Sequence, residues 1–356
     1  MSVTLKDIAK KANVSISTVS RVINNDTAKP ASKDTADKIW AIVKEMGYTP
    51  NQSARKLIKG EDNTNPIPSS KAIGCIFTST KDTYNDPFYS QIAVGIQEVI
   101  SKKGYVLAFN YSSYDTSFSA LYNNLSAYPV EGIIVLGRFD NETLKFLKNN
   151  FNNIVYAGVN YVNGGFDEVI CDGYKGTIVA IEHLIKLGYN KIGFVGETPI
   201  IDDNKVINEH RFEAYRDVLG NYNIPYTEDY IVSSPLATKE AYINMKNYLQ
   251  NTTKEKLPRA FFCANDVTAI GAMKAIRESN YKIPEDIAII GLDDIEMSSF
   301  VTPSLTTIRI PKKELGKISA KILIDKIESD REIPIRVDVP FELKERESCS
   351  INNKKA

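Results

Sequence analysis

The chain is 356 residues long, about twice the usual span of one domain, so two or three domains are expected. Its make-up, 43% hydrophobic and 25% charged, is that of a folded globular protein and argues against wholesale disorder. No stretch approaches the roughly 20 apolar residues that span a bilayer; the opening Met1-Ser2-Val3-Thr4-Leu5-Lys6-Asp7 turns polar at once, unlike a secretory signal, and a cytoplasmic chain is expected.

Four cysteines (Cys75, Cys171, Cys263, Cys349) are dispersed with no CxxC pair, which supports neither zinc fingers nor a disulfide framework. Two histidines, His183 and His210, leave little material for His-based metal sites or triads, and no cofactor is expected. The net charge of zero conceals a split. Residues 1–60 hold eleven Lys and Arg against five acids, and the rest of the chain carries the matching excess of acids. A basic head on an acidic body is the asymmetry of a nucleic-acid-binding module joined to something else.

In chain order, Thr4 stands as a helix cap ahead of Leu5, Ile8, Ala9 and Ala12, which form one apolar stripe at helical spacing. Asn13-Val14-Ser15 breaks that pattern, and Ser15 or Ser17 caps a second helix running through Asn24, with Val19, Val22 and Ile23 facing inward. A third helix, from about Ser32 to Met46, buries Ile39, Ile42, Val43 and Met46, and Gly47 ends it. Two short helices joined by a three-residue turn, with a third packed behind, make a helix-turn-helix. Its second helix would enter the major groove with Ile16, Ser17, Thr18 and, one turn on, Arg21 toward the base edges.

Residues 61–71 are polar and Pro-containing, without periodicity, and read as a linker. From Ala72 onward short apolar runs alternate with amphipathic stretches. The strand candidates are Ile73–Phe77, Val106–Asn110, Gly132–Leu136, Ile154–Gly158, Lys191–Val195, Ala260–Cys263 and Ile287–Gly291. Helical stretches such as Phe88–Lys103, Gly176–Leu187, Glu209–Leu219, Lys239–Leu249 and Asp266–Ser279 lie between them. Buried strands alternating with helices predict parallel, doubly wound α/β sheets, and the length predicts two such lobes. No GxGxxG or Walker-type loop follows the early strands.

Residues 4–24, Thr-Leu-Lys-Asp-Ile-Ala-Lys-Lys-Ala-Asn-Val-Ser-Ile-Ser-Thr-Val-Ser-Arg-Val-Ile-Asn, followed by Gly-Tyr-Thr-Pro-Asn (47–51), resemble the head of the lactose/galactose repressor family. The resemblance extends over almost the whole chain, through Glu-His-Leu-Ile-Lys-Leu-Gly-Tyr-Asn-Lys-Ile-Gly-Phe-Val-Gly (182–196), Ala-Asn-Asp-Val-Thr-Ala-Ile-Gly-Ala (264–272), Pro-Glu-Asp-Ile-Ala-Ile-Ile-Gly-Leu-Asp-Asp (284–294) and Thr-Pro-Ser-Leu-Thr-Thr-Ile (302–308). It implies an all-α head over 1–50, a hinge helix over 51–60, a periplasmic-binding-protein-like core over 72–347 and a tail over 348–356. The core would comprise one lobe of about 72–173 plus 304–333 and another of about 174–303 plus 334–347, with a small effector in the cleft.

A sugar offers vicinal hydroxyls, suited to carboxylates, amides and guanidinium groups, and apolar ring faces that pack on aromatics. Arg211 corresponds to the family's effector-clamping arginine, although Ala214 stands where the family has a Gly. Asn265 and Asp293 lie just after predicted strands and match family contacts. Phe88 and Tyr89 take the place of its stacking residues, and Asp172 ends another strand. Ser234-Pro235-Leu236-Ala237, where some relatives carry a further aromatic, has none. The runs Asn-Asp-Pro-Phe-Tyr (85–89) and Glu-Gly-Ile-Ile-Val-Leu-Gly-Arg-Phe (131–139) resemble galactose-type repressors, which points to a galactoside.

The same resemblance implies a DNA-contacting set of Thr4, Ser15, Ile16, Ser17, Thr18, Arg21, Asn24 and Tyr48 in the head, with Asn51, Ala54, Arg55 and Leu57 in the hinge. Residues 51–59 are too few for a stable isolated helix, which needs roughly 12–15, so a hinge helical only on DNA is expected, with Leu57 as a minor-groove wedge. The tail after Arg346 lacks leucine heptads, favouring a homodimer on a pseudo-palindromic operator over a tetramer. The rival readings, an exported sugar receptor and a sugar-acting enzyme, share the cleft. The first would need a signal peptide and no helix-turn-helix. The second would need an acid–base pair, and the doublets Asp293-Asp294 and Asn265-Asp266 point to opposite sides of their strands. The expected protein is a DNA-binding regulator, most simply a repressor, and neither an enzyme nor membrane-bound.

Overall fold

Strands covered on both faces must be apolar along their whole length, and the chain supplies such runs in two sets. A computed structural model describes residues 3–24, 30–46, 48, 71–77, 86–112, 130–138, 140–198 and 209–349. The head comprises α1 (Leu5–Ala12), α2 (Ile16–Ile23) and α3 (Lys33–Met46). Thr4 and Asp7 close a reciprocal cap on α1: Thr4 Oγ1 accepts from Asp7 N at 3.3 Å, and Asp7 Oδ2 accepts from Thr4 N at 2.9 Å. Asn13 makes the turn in the left-handed region (φ 57), which its short polar side chain tolerates. Of the two candidate caps for α2 it is Ser15 that serves, its Oγ accepting from Thr18 N at 3.1 Å. Ile8, Ala9, Ala12, Val19, Ile23, Ile39, Ile42 and Val43 form the head's core. Val22 and Met46, expected there, are only half-buried.

The body follows as β1 (Ala72–Phe77), α4 (Tyr89–Lys102), β2 (Val106–Ser112), β3 (Gly132–Leu136), α5 (Asn141–Asn150), β4 (Ile154–Gly158) and β5 (Asp167–Ile170). Then come α6 (Gly173–Lys186), β6 (Ile192–Gly196), α7 (Arg211–Asn221), β7 (Ile231–Ser233), α8 (Thr238–Asn251), β8 (Ala260–Cys263), α9 (Asp266–Glu278) and β9 (Ala288–Asp293). The last elements are β10 (Thr306–Arg309), α10 (Lys312–Ser329), β11 (Arg336–Asp338) and β12 (Glu342–Lys344). One six-stranded sheet has the order β11-β5-β4-β3-β1-β2 and the other β12-β10-β9-β8-β6-β7. The pairs β1–β2, β1–β3, β3–β4, β6–β7, β6–β8, β8–β9 and β9–β10 are parallel; β12 closes the second sheet antiparallel to β10. β1, β3, β4, β6, β8 and β9 are buried at every residue.

The chain divides into two units: 1–157 with 162–169 and 316–336, and 158–161 with 170–315 and 337–356. Residues 304–315, expected in the first lobe, therefore belong to the second unit, because β10 pairs with β9 (Thr306↔Ile290 to Arg309↔Asp293). Residues 158–161 and 170–173 do so as well. The division falls inside α10. From Gly316 that helix packs on α4, and a Cβ at Gly316 would lie 2.1 Å from Ile92 O. All four cysteines are buried. Burial pushes the thiols of Cys171 and Cys349 up to about 12 and those of Cys75 and Cys263 further. Among the described residues no helix is long and apolar enough to cross a membrane.

β5 opens with two acids buried because distant residues meet them. Asp167 takes Arg331 bidentately (Nη1 to Oδ1 and Nη2 to Oδ2, both 3.0 Å) and accepts from Ile335 N at 2.7 Å, with Lys326 Nζ 3.9 Å away. Glu168 accepts from Val162 N and Gly164 N, each at 3.1 Å. Asp167→Ala should leave the buried Lys326 without its carboxylate and Arg331 with only the exposed Asp325, and cost about 3 kcal/mol, read as a lower urea midpoint; an unchanged midpoint would contradict this account.

Candidate functional site

On the head, α2 presents a polar face with one apolar exception. Ile16 is 48% exposed, flanked by exposed Ser15 and Ser17. Ser15 Oγ lies 2.8 Å from both Ser17 Oγ and Thr18 Oγ1. Arg21 is half-buried and folded along its own helix, donating from Nε to Ser17 O and from Nη2 to Thr18 Oγ1, each at 3.2 Å. Asn24 is exposed, with its amide on Ser20 Oγ at 3.2 Å. Thr4 is exposed beside exposed Lys6, although its hydroxyl is engaged in the cap. Tyr48, expected at the DNA, is instead 8% exposed: its backbone N–H bonds Val43 O at 3.2 Å, which brings the ring into the head's core. Asn51, Ala54, Arg55 and Leu57 lie outside the described residues.

In the first unit, Phe88 and Tyr89 stand together at the start of α4. Asp86 Oδ1 caps that helix, accepting from Phe88 N at 2.9 Å and Tyr89 N at 3.1 Å. Burial raises the Asp86 carboxyl above its ordinary value, although these two bonds pull the other way. Tyr89 meets both Phe88 (centroids 5.2 Å apart) and Phe77 at the carboxyl end of β1 (5.9 Å), edge to face. Both rings remain half-buried.

The second unit gathers Asp172, Arg211, Asn265 and Asp293 at the carboxyl edge of its sheet. Asn265 caps α9 through Thr268 N (3.0 Å), and Asp172 caps α6 through Lys175 N (3.0 Å) while pairing with Lys175 Nζ (3.1 Å). Arg211, 4% exposed, donates from Nη1 to Ala264 O at 2.6 Å, directly beside Asn265. Asp293 and Asp172 both raise the buried Cys171 thiol, after the larger effect of its burial. Asp293 (φ 134) and Asp294 (φ 52) are left-handed in succession, a strained turn of the kind found at binding sites. Lys312 Nζ holds it by donating to the carbonyls of Asp293, Asp294 and Ile310. Burial lowers the Lys312 ammonium, and Asp293, Asp266 and Asp294 oppose that shift. Fully buried Asp266 ties the following turn to α9, accepting from Ser298 Oγ (2.6 Å), Ile295 N (3.0 Å) and Thr307 Oγ1 (2.6 Å).

Several residues here were not singled out from the sequence. Glu209 grips Arg211 from two positions away, its Oε1 accepting from Nε at 2.8 Å and from the backbone N at 3.1 Å and its Oε2 from Nη2. An acid two residues before the arginine was the available signal. Tyr161 stacks on His210 with centroids 4.9 Å apart. His210 Nε2 and Asn160 Oδ1 are buried with no hydrogen-bond partner among the described residues, and polar atoms so placed suit a ligand.

A model of the bacterial regulatory proteins of the lacI family matches residues 4–51, and one of a periplasmic binding protein-like domain matches residues 181–349. The transcriptional repressor PurR of Haemophilus influenzae is 31% identical over 91% of this chain and 91% of its own. A lac repressor dimer bound to operator and the anti-inducer ONPF is 25% identical, with a TM-score of 0.67 over 98% of this chain and 99% of that one. A LacI family regulator from Enterococcus faecium with bound ribose is 27% identical, with a TM-score of 0.64 over 78% of this chain and 98% of its own.

Asp294 takes Arg309 Nε at 2.6 Å and Arg346 Nη2 at 2.5 Å. Burial pushes this carboxyl up, yet the bonds from Arg346 and Arg309 outweigh it and hold it below its ordinary value of 3.8. With the folded value depressed, its stabilising contribution is complete above that ordinary value and fades as pH falls through the lower one. Asp294→Asn should therefore lower the urea midpoint near neutrality and flatten its decline below about pH 5; curves for the two proteins that run parallel would refute this.

Proposed function

From the premise that the chain belongs to the LacI family, DNA-binding repressors with a ligand-binding core, we propose a sugar-responsive repressor that acts as a homodimer. The observation that carries the sugar reading is the row Asp172, Arg211, Asn265 and Asp293, which offers carboxylates, an amide and a guanidinium group along one sheet edge. Hydroxyls both donate and accept, and such a row meets both needs. Phe88 and Tyr89, side by side at the start of α4, offer aromatic rings of the kind on which a sugar ring packs. The ribose bound by the Enterococcus faecium relative supports this reading, and a galactoside is the first probe. The likeness to PurR supports a rival, a purine effector. A flat base wants aromatic cover on both faces, and Ser234-Pro235-Leu236-Ala237 supplies none.

The protein would act in the cytoplasm, without enzymatic turnover, on a pseudo-palindromic operator. α2 would lie in the major groove with Ile16, Ser17, Thr18 and Arg21 toward the bases and Ser15, Asn24 and Thr4 toward the backbone. In the hinge, Leu57 would wedge the minor groove, with Ala54 permitting close approach of the partner's helix and Asn51 and Arg55 flanking it. The dimeric, operator-bound lac repressor supports two-fold binding. So do Met297 and Phe300, 53% and 72% exposed on one turn of the second unit, apolar surface that a second copy would cover. Effector would control DNA binding through its differential affinity for the two conformations of the body.

Operator affinity should fall steeply with salt, with a log–log slope of about −0.9 per phosphate neutralised. Arg21→Ala should weaken operator binding by about 1–3 kcal/mol by fluorescence anisotropy. An unchanged affinity would remove Arg21 from the reading face. Arg211→Ala should abolish the thermal shift given by sugars while operator affinity in their absence stays at the wild-type level. A shift with hypoxanthine or guanine and none with any sugar would decide for the rival.

A further inference from the structure

We propose that the effector is an uncharged polyhydroxyl molecule, that phosphorylated or otherwise anionic sugars are excluded, and that Glu209 sets this selectivity. The inference rests on the reading that the carboxyl edge of the second unit receives the effector.

An arginine binds a phosphate or carboxylate through a flat edge of its guanidinium group, two N–H groups side by side. In Arg211 the edge formed by Nε and Nη2 is already filled by both oxygens of Glu209, and Nη1 is directed to Ala264 O. The pair is withdrawn from water, with side chains 4% and 12% exposed, so the carboxylate neutralises the guanidinium at short range with little screening. An oxyanion could use that edge only by displacing a buried carboxylate.

Lys312 offers no alternative. An ammonium has three N–H donors, and three backbone carbonyls, of Asp293, Asp294 and Ile310, lie within 3.4 Å of its Nζ. Lys175 Nζ is paired with Asp172, and Arg309 and Arg346 are paired with Asp294. Among the described residues an incoming ligand therefore meets carboxylates, Asp172, Asp293 and Glu209, beside an arginine that one of them already neutralises. A hydroxyl is welcome there, since it donates to carboxylate oxygens and accepts from the Asn265 amide. A phosphate monoester has no proton to spare for them, brings like charge, and must shed tightly bound water.

The test is calorimetric titration of the full chain with matched pairs: galactose and galactose 6-phosphate, glucose and glucose 6-phosphate, ribose and ribose 5-phosphate. At least one neutral member should bind, with its phosphorylated partner weaker by about 100-fold or more. Glu209→Gln removes the charge and keeps the shape, and should narrow that ratio by about 10-fold by favouring the phosphate ester. Loss of a purely structural contact would weaken both members alike. Equal or tighter binding of a phosphorylated member by the wild type overturns the inference while leaving the sugar reading intact. So does a ratio that Glu209→Gln leaves unmoved. Failure of every sugar in both forms overturns the sugar reading and this inference with it. The wild-type comparison stands on its own if the variant does not fold.

Discussion

The opening turn of an α-helix leaves backbone N–H groups without partners, and a parallel sheet collects such helix starts along its carboxyl edge. That constraint organises this molecule. In the second unit Asp172 and Asn265 accept from the first turns of α6 and α9, and Glu209 accepts the first N–H of α7. In the first unit Asp86 and Asp140 do the same for α4 and α5. Short polar side chains are thus placed on the rim of each sheet by the demands of folding, and each is fixed by a backbone contact that also stabilises the fold.

One stretch of the rim is held against local preference. Two successive aspartates adopt positive φ, which costs free energy for residues with a Cβ, and the surroundings over-determine the turn. Lys312 takes its carbonyls, Arg309 and Arg346 take one carboxylate, and Asp266 secures the backbone just beyond. Asp294 is thereby committed to two arginines, while Lys312 takes the carbonyl of Asp293.

Most of this was legible in the sequence because it is local. The head follows from a cap, a stripe and a turn within twenty-odd residues, and the two sheets follow from apolar runs long enough to be buried on both faces. What escaped depends on partners remote in the chain. The acids that begin β5 discourage a strand until Arg331 and Arg336 are brought beside them. The allocation of 304–315 turns on whether β10 pairs with β9, which no periodicity reveals. Tyr48, read as a surface contact, is an amphipathic ring whose depth depends on how the chain returns after α3. Arg211 was identifiable by its surroundings in sequence; its neutralisation by Glu209 required side-chain geometry.

The burial of all four thiols has a practical consequence. Alkylating reagents attack the thiolate, and at neutral pH these groups are protonated as well as enclosed. Each native cysteine can be modified only while its own part of the fold is open. Cys75 lies in the first unit, and Cys171, Cys263 and Cys349 in the second, so the order in which they are trapped under native conditions is a clock for the separate opening of the two bodies. A cysteine introduced on the exposed face of α2 would react at once, and a probe attached there would report on the head alone.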